Sequence, residues 1–334
     1  MKKSSFLTGL TLSALLLTPA CGGSKDKEDT PSQPDAGVVD DAGITDDAGH
    51  QGTTDGGSIP ALVTNPENEE QLNYYLANGS SVTLTNTSLG DAESTTLTVK
   101  AGAKLTIGRN ALLWSRVLTL EAGAEVYVQG TAQLYPKQLV LESGSLLQVE
   151  EGGRMEIEEK TILNEGAIRS SGETKLGELM LNGQSSVSST PGAGGGDFFL
   201  SAGKTTLNHQ AAKIVNLGVM ELEDVVIKAG GILNGTDTPM TNNHDHDDPN
   251  LRTGRLDMTG NDAYIHNFPG WYMTIDGDLW MNAGVIENGN TEENAFFIVG
   301  ECKKTGGERT GAGYLWGWDT EGCAKFFQPV EDEE

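Results

Sequence analysis

Short runs of alternating apolar and polar residues dominate the chain between residues 97 and 149, and one pattern recurs there in register. Each copy has two alternating runs joined by a glycine, which predicts a strand, a turn and a second strand. The copies follow at a spacing of 21 residues and consist of Leu97, Val99, Gly102, Leu105 and Ile107, then Leu118, Leu120, Gly123, Val126 and Val128, then Leu139, Leu141, Gly144, Leu147 and Val149. One such unit cannot bury its own apolar face, so the period indicates a solenoid of stacked units.

Two solenoid architectures are compatible with a period of about 21 residues, the leucine-rich repeat and the parallel β-helix. A leucine-rich repeat needs an Asn or Cys at a fixed position and a helical return segment, and the sequence shows neither. The pattern therefore predicts an all-β fold, a parallel β-helix that occupies residues 81–299. At about 21 residues a rung, we expect some eleven rungs.

The repeat continues more loosely after Val149. Weaker copies consist of Leu179, Leu181, Gly183 and Val187, of Val225, Ile227, Gly230 and Leu233, of Leu256, Met258 and Ile265, and of Met273, Ile275, Leu279 and Met281. A second phrase recurs as Asn164-x-Gly166-x-Ile168, Asn216-x-Gly218-x-Met220 and Asn282-x-Gly284-x-Ile286. Asn and Gly tolerate the left-handed backbone of tight corners, so these phrases predict turns between strands. They resemble the rungs of β-helical bacterial adhesins and autotransporter passengers.

A short amphipathic helix is predicted within residues 59–80, ahead of the first rung. Asn65 is a suitable N-cap with Pro66 at the first helical position, and Asn78-Gly79 ends the helix. The apolar stripe of this helix consists of Leu72, Tyr75 and Leu76. With the strand that begins at Val82, this arrangement resembles the start of right-handed β-helix proteins, including the pectate-lyase-like families. The resemblance implies a right-handed coil whose open end the helix covers.

The first 20 residues form a secretory signal, with Lys2 and Lys3 ahead of an apolar run that is too short to span a membrane. Residues 17–21, Leu-Thr-Pro-Ala-Cys, resemble a bacterial lipobox. The resemblance implies cleavage before Cys21, a diacylglyceryl group on its sulfur and further fatty acyl chains such as palmitate, which together anchor a protein stably. By the same resemblance, Gly22 after the cysteine implies the outer membrane. An ordinary cleaved signal with a spare cysteine is the alternative.

Residues 21–58 lack apolar periodicity and repeat the triplet Asp-Ala-Gly at positions 35, 41 and 47. Such an acidic segment cannot bury enough apolar surface to offset its ordering entropy, so it predicts a disordered tether. A tether of this composition after a lipobox resembles the outer-membrane lipoproteins of gliding, predatory soil bacteria. We therefore expect an outer-membrane location, with the head on the periplasmic or the surface-exposed face.

The charge balance restricts the classes of partner. The chain has 334 residues and a formal net charge of −26. Nucleic-acid binding requires clustered Lys and Arg, so that class of partner is excluded. The membrane, reached through the lipid anchor, and glycans or envelope proteins remain as expected partners.

The cysteines predict a stapled C-terminus. Beyond Cys21 the chain has Cys302 and Cys323, and exported proteins fold in an oxidising compartment. A bond between these two would close a loop of about 22 residues, which the chain-entropy model values at roughly 3 kcal/mol. The sequence therefore predicts a disulfide-stapled cap over residues 300–327, followed by an acidic tail over 328–334.

One loop has the side chains of a metal site. His244, Asp245, His246, Asp247 and Asp248 follow one another within a polar insertion. Alternate residues of an extended segment project to one side, so this loop is a candidate site for a divalent cation. A solvated loop without a metal is the alternative, and no other cofactor is expected.

The candidate functional residues gather near the C-terminal end. Asp276 and Asp278 flank a glycine and are weak candidates for a catalytic carboxylate pair, although a corner turn also explains them. The residues that could form a sugar-stacking platform, or seal the last rungs, are Trp271, Tyr272, Trp280, Trp316 and Trp318. We expect a non-catalytic binding or structural role, in adhesion, motility or envelope organisation. The alternative is a carbohydrate-active enzyme of β-helix type, a polysaccharide lyase or a glycoside hydrolase.

Overall fold

The computed structural model describes residues 62–190, 199–236, 250–289, 296–310 and 316–317. They fall in the unit that spans Gly57–Glu334. The expected signal peptide, the lipidated cysteine and the tether lie outside the described residues. Within the described ranges the chain forms one α-helix and 25 β-strands.

The elements of the first half are β1 (Leu62–Thr64), α1 (Glu69–Ala77), β2 (Ser81–Leu84), β3 (Ser88–Leu89), β4 (Thr96–Val99), β5 (Lys104–Ile107), β6 (Leu112–Leu120), β7 (Glu125–Val128), β8 (Gln133–Leu141), β9 (Leu146–Val149), β10 (Arg154–Asn164), β11 (Ala167–Ser170) and β12 (Glu173–Asn182).

The elements of the second half are β13 (Ser186–Ser189), β14 (Phe199–Ala202), β15 (Thr205–Asn216), β16 (Val219–Asn234), β17 (Leu251–Met258), β18 (Ala263–Asn267), β19 (Met273–Ile275), β20 (Leu279–Met281), β21 (Val285–Asn288), β22 (Phe296–Ile298), β23 (Cys302–Lys304), β24 (Glu308–Thr310) and β25 (Trp316–Gly317).

Successive rungs stack so that every strand pairing among the described residues is parallel. The pairings form three sheets, and the longer strands bend at a corner and contribute to two of them. Sheet 1 contains β1, β2, β5, β7, β9, β11, β13, β18, β21 and β24 with the ends of β15 and β16. Sheet 2 contains β3, β14, β19, β22 and β25 with the starts of β6, β8, β10, β12, β16 and β17. Sheet 3 contains β4, β20 and β23 with the remaining parts of the long strands.

The predicted period is confirmed residue by residue. Leu97 pairs with Leu118, which in turn pairs with Leu139, and all three side chains are fully buried. The predicted turn glycines, Gly102 and its two equivalents, have positive φ angles of 74°, 70° and 68°. An L-residue rarely adopts this conformation, so each glycine permits the turn between sheet 3 and sheet 1. The fold is therefore a parallel β-helix with rungs about 21 residues apart.

Rung length varies after the third copy. Leu139 pairs with Thr161 at a spacing of 22 residues, whereas Val225 pairs with Leu256 at a spacing of 31. The column that begins at Leu97 continues through Leu118, Leu139, Thr161, Leu179, Thr205, Val225, Leu256, Leu279 and Cys302. The coil has about ten turns instead of the expected eleven, because loop insertions lengthen some rungs.

One column inside the coil changes from apolar to polar along its length. It starts with Ile107, Val128 and Val149, continues with Ser170 and Ser189, and ends with Asn216, Asn234, Asn267 and Asn288. The four asparagines are fully buried, and the first three each donate the side-chain amide to the side-chain oxygen of the next asparagine over 2.7 to 3.0 Å. Buried amides require such partners, so stacking identical residues satisfies them rung after rung.

The helix α1 lies against the first rung, as predicted, but it begins three residues later. Asn68 is the N-cap, and its side-chain oxygen accepts the backbone N–H of Gln71 at 2.9 Å. Asn65 instead has a positive φ of 49° and accepts the backbone N–H of Thr85, which ties it to the next rung. The predicted cap at Asn65 is therefore wrong. Leu72 is fully buried and joins the core of the coil, which closes its first turn.

Two details of the looser repeats also differ from expectation. Leu233 faces outward, and Ile232 is the buried residue in its place, because Gly230 and Gly231 shift the inward position by one residue. The Asn-x-Gly phrases are not equivalent in space. Ile168 belongs to sheet 1, whereas Met220 belongs to sheet 2.

Candidate functional site

The outer face of sheet 2 has a row of outward side chains from successive rungs. The row runs through Trp114, Tyr135, Glu156, Lys175, Ser201, Glu221 and Arg252. Parallel strands are about 4.8 Å apart, so the row is about 29 Å long. Over these seven positions aromatic residues stand at one end and charged residues at the other, and the same register continues through Thr274 and Phe297 to Trp316.

The aromatic end is a stacked pair, which we call the aromatic platform. The rings of Trp114 and Tyr135 have centroids 4.5 Å apart and planes inclined by 23°. The Tyr135 hydroxyl donates to the side-chain oxygen of Gln133 at 3.0 Å, which fixes the ring. The pair lines a cavity of about 340 Å³ together with Pro136 and Glu158.

Two cations beside the aromatic platform are held by carboxylates. Lys137 donates a hydrogen bond to Glu93, which raises the pKa of that amine above its ordinary value. Arg154 donates to Glu156 at 3.1 Å, and this bond raises the pKa of the guanidinium. Both cations therefore stay charged at neutral pH. The cavity combines apolar ring surface with charged hydrogen-bonding groups.

The charged end of the row borders an open groove of about 650 Å³. Its polar lining includes Glu178, Ser201, Lys204, Glu221, Glu223, Arg252 and Asp276, and Phe199 adds an apolar wall. Arg252 forms an ion pair with Asp276 at 3.6 Å, and both side chains are about half exposed. Ion pairs so exposed contribute little to stability, so this one adds little to the folding free energy.

The groove depends on glycines at the corner between sheets 2 and 3. A Cβ atom added to Gly254 would lie 2.2 Å from the backbone oxygen of Glu223, and one added to Gly177 would lie 2.4 Å from that of Glu159. Real Cβ atoms do not approach so closely, so any other residue would force neighbouring rungs apart. The absence of side chains at these glycines thus lets neighbouring rungs pack closely at the corner and leaves the groove open.

The two candidate carboxylates make different contacts. Asp276 lines the groove beside Arg252. Asp278 accepts the backbone N–H of Glu301 at 3.0 Å, which is the contact of a corner turn. In this arrangement Asp276 lines the groove, and Asp278 holds the next rung.

Trp271 and Tyr272 lie at the corner that leads into β19. Trp271 is only 3% exposed, and its backbone oxygen accepts the side-chain amide of Asn267 at 3.0 Å. The backbone N–H of Tyr272 donates to the side chain of Asn250 at 3.0 Å. The burial of Trp271 fits the sealing alternative, because a ring so enclosed cannot stack on a ligand without rearrangement.

Trp280 lies on the outer face of sheet 3, away from the corner of Trp271. The guanidinium of Arg255 is 3.8 Å from its ring centroid, and the ammonium of Lys303 is 5.5 Å away. These cation–π contacts cover part of the ring. Trp316 begins β25 in sheet 2. The structure does not bring Trp271 and Trp280 onto one face.

Several predicted sites lie wholly or partly outside the described residues. These are Cys21, the loop of His244, Asp245, His246, Asp247 and Asp248, Trp318 and Cys323. Cys302 is disulfide-bonded and half-buried against the core, and its partner lies outside those residues, so the pairing with Cys323 stays a prediction. In the described ranges, no group of three or more His, Cys, Asp or Glu side chains could hold a metal ion.

The aromatic platform is not among the residues predicted from the sequence, although the sequence contains a signal for it. Trp114 and Tyr135 are 21 residues apart, which is the repeat spacing, and both occupy outward positions. Residues so related must be neighbours on adjacent rungs. The groove had no comparable signal, because its residues come from rungs of unequal length.

Comparisons with protein-family models, with curated proteins and with solved structures find no match. No described helix is both long and apolar enough to cross a membrane.

Proposed function

We propose that this chain is a lipid-anchored outer-membrane protein whose β-helix head binds an envelope ligand without converting it chemically. Its role would be adhesion, motility or the organisation of the envelope. The sequence of residues 17–21 supports the anchor, and the Asp-Ala-Gly segment supports a tether that holds the head away from the lipid. The head supplies the binding surface.

The observation that carries the binding role is the aromatic platform on the outer face of sheet 2. Trp114 and Tyr135 present ring surface beside Lys137 and Glu158 at the edge of a cavity. Sugars have apolar ring faces and many hydroxyl groups, so this combination suits a glycan. The row of side chains continues from the platform along the coil, which suits an extended ligand.

Retention of purified cell-envelope material by the head tests the binding role. Replacing Trp114 by Ala should weaken retention at least about fivefold, because aromatic anchors contribute a kcal/mol or more to binding. Tyr127→Ala is the matched control. Tyr127 is a half-buried aromatic residue on the outer face of sheet 1, with Lys104 over its ring, and its loss should leave retention unchanged. Equal retention by all three proteins would refute the platform as the binding surface.

Detergent phase partition of whole cells tests the anchor. Cys21→Ala should remove acylation and move the protein into the aqueous phase. The other expected membrane contact, the apolar run of the signal peptide, is removed by cleavage. A variant that still partitions with detergent while carrying no acyl group would contradict the lipoprotein assignment.

One observation favours the enzyme alternative: Asp276 lies beside Arg252 in the groove. A polysaccharide lyase or glycoside hydrolase would need this carboxylate for proton transfer. Asp276→Asn should then abolish product formation and leave glycan binding largely intact. Assays for new reducing ends and for unsaturated products decide the matter. Product released by the unmodified head would overturn the non-catalytic role.

A further inference from the structure

The groove contains charged groups that the protein itself does not pair. Arg252 is paired with Asp276, and Glu178 lies 3.9 Å from Lys160. In the described part of the chain, Lys204, Glu221 and Glu223 form neither an ion pair nor a side-chain hydrogen bond, although all three line the groove. These groups are available to a ligand.

The balance of charge in the groove favours a cationic ligand group. Its four carboxylates outnumber its two cations, Lys204 and Arg252. The formal charge of −26 on the whole chain adds to the same field. An anionic ligand would be repelled, whereas an ammonium group would find acceptors in Glu221 and Glu223. Lys204 remains as a donor to neutral hydroxyl groups.

The groove and the aromatic platform belong to one row. Glu221 is four rungs from Tyr135, through Glu156, Lys175 and Ser201. Four steps of roughly 4.8 Å separate the two sites by about 19 Å. One linear ligand that lies along the coil axis can therefore contact both, with ring faces at one end and a charged substituent at the other.

We infer that the outer face of sheet 2 binds a linear amino glycan, with unacetylated ammonium groups at Glu221 and Glu223 and sugar rings on Trp114 and Tyr135. This inference rests on the proposed binding function and names its ligand class. It requires no metal ion and no covalent step.

Three sugar oligomers that differ only at carbon 2 test the inference directly. They are the β-1,4-linked hexamers of glucosamine, N-acetylglucosamine and glucose, titrated calorimetrically into the full-length protein in detergent. The glucosamine hexamer should bind at least about tenfold more tightly than the glucose hexamer, as expected for charge-assisted hydrogen bonds. The advantage should shrink as salt is added, because both carboxylates are exposed.

Glutamine substitutions locate the amine. The double variant Glu221→Gln, Glu223→Gln should lose the preference for glucosamine and keep the affinity for the glucose hexamer. Glu151→Gln, which removes one carboxylate charge from an exposed turn after β9, should change neither. Trp114→Ala should weaken binding of all three oligomers. Equal affinity for the glucosamine and glucose hexamers, or a preference that survives the double substitution, would overturn the inference.

Two further outcomes separate the alternatives. Tetralysine that binds through Glu221 and Glu223, with no effect of Trp114→Ala, would assign the groove to a peptide amine and overturn the glycan assignment. A head that retains envelope material through Trp114 but shows no preference for glucosamine would overturn this inference alone. A head that retains no envelope material would overturn the proposed function.

Discussion

Asn234 lies within the asparagine ladder, and its side chain makes three hydrogen bonds. Its amide nitrogen donates to Asn267 at 2.7 Å and to the backbone oxygen of Tyr272 at 3.1 Å, and its oxygen accepts from Asn216 at 2.8 Å. The side chain is fully buried. The cost of replacing such a residue comes less from the hydrogen bonds that it loses than from the buried polar groups of its neighbours, which lose a partner.

Asn234→Ala should lower the free energy of unfolding by about 2 kcal/mol or more, because it leaves buried polar groups of Asn216 and Asn267 short of a partner. Asn208→Ala is the control. Asn208 is half-buried and donates to Asn182 at 3.0 Å, so its loss should cost under about 1 kcal/mol. Urea unfolding followed by circular dichroism measures both. Equal costs would mean that burial of the ladder adds nothing.

The same residue type takes opposite roles at different places on the coil. Trp114 stands on an outer face and is stacked on Tyr135, whereas Trp271 is buried at a corner against Gly235. A Cβ atom at Gly235 would lie 2.3 Å from the Trp271 ring, so that corner is fitted to the indole. Chemistry alone does not separate a binding tryptophan from a packing one.

At the scale of the strand, the inward positions of one rung depend on those of the rungs beside it. Val99, Leu120 and Leu141 form one buried column in sheet 3. On each strand the residues next to these three face outward. A charged side chain is therefore tolerated at an outward position and excluded at an inward one.

Leu120→Asp should destabilise the coil by at least about 4 kcal/mol, because it places a carboxylate in the apolar column. Val99→Asp and Leu141→Asp should behave alike. Thr119→Asp faces outward on the same strand and should cost under about 1 kcal/mol. Urea midpoints for these variants test the register. A helix-dominated far-ultraviolet circular dichroism spectrum of the unmodified protein would refute the fold.

At the scale of the whole molecule, a helix closes the first turn of the coil, and a disulfide-stapled cap is predicted for the last rungs. At the N-terminal end, Leu72 and Leu76 of α1 join the core. At the other end, Cys302 takes the last place in the column that begins at Leu97, and it is disulfide-bonded. A solenoid needs such closure, since its terminal rungs would otherwise expose apolar side chains and strand edges.

Peptide mapping without reductant should recover Cys302 linked to Cys323. Cys323→Ser should loosen the C-terminal rungs by about 3 kcal/mol, the value expected for a loop of this length. Hydrogen exchange at β20 and β23 measures the effect locally, and Cys21→Ser should leave it unchanged. A linkage between Cys302 and Cys21 would contradict the predicted cap.

The sequence by itself determined the architecture. A strict period of two within each strand and of 21 between rungs leaves one way to bury Leu97 and its equivalents, which is to stack parallel strands. It also located the cap helix and the turn glycines. It misplaced the helix start, because Asn65 and Asn68 are both good caps by type, and only the contact of Asn65 with Thr85 on the next rung decides between them.

Only the tertiary structure decided which residues share a face. Trp114 and Tyr135 keep the 21-residue spacing and were within reach of sequence reasoning, but Glu221, Arg252 and Asp276 come from rungs of unequal length. The asparagine ladder was hidden for the same reason, since its steps of 18, 33 and 21 residues follow loop insertions. A local pattern specifies whether a side chain points inward or outward. Which side chains lie beside it on adjacent rungs depends on the number of residues in each rung.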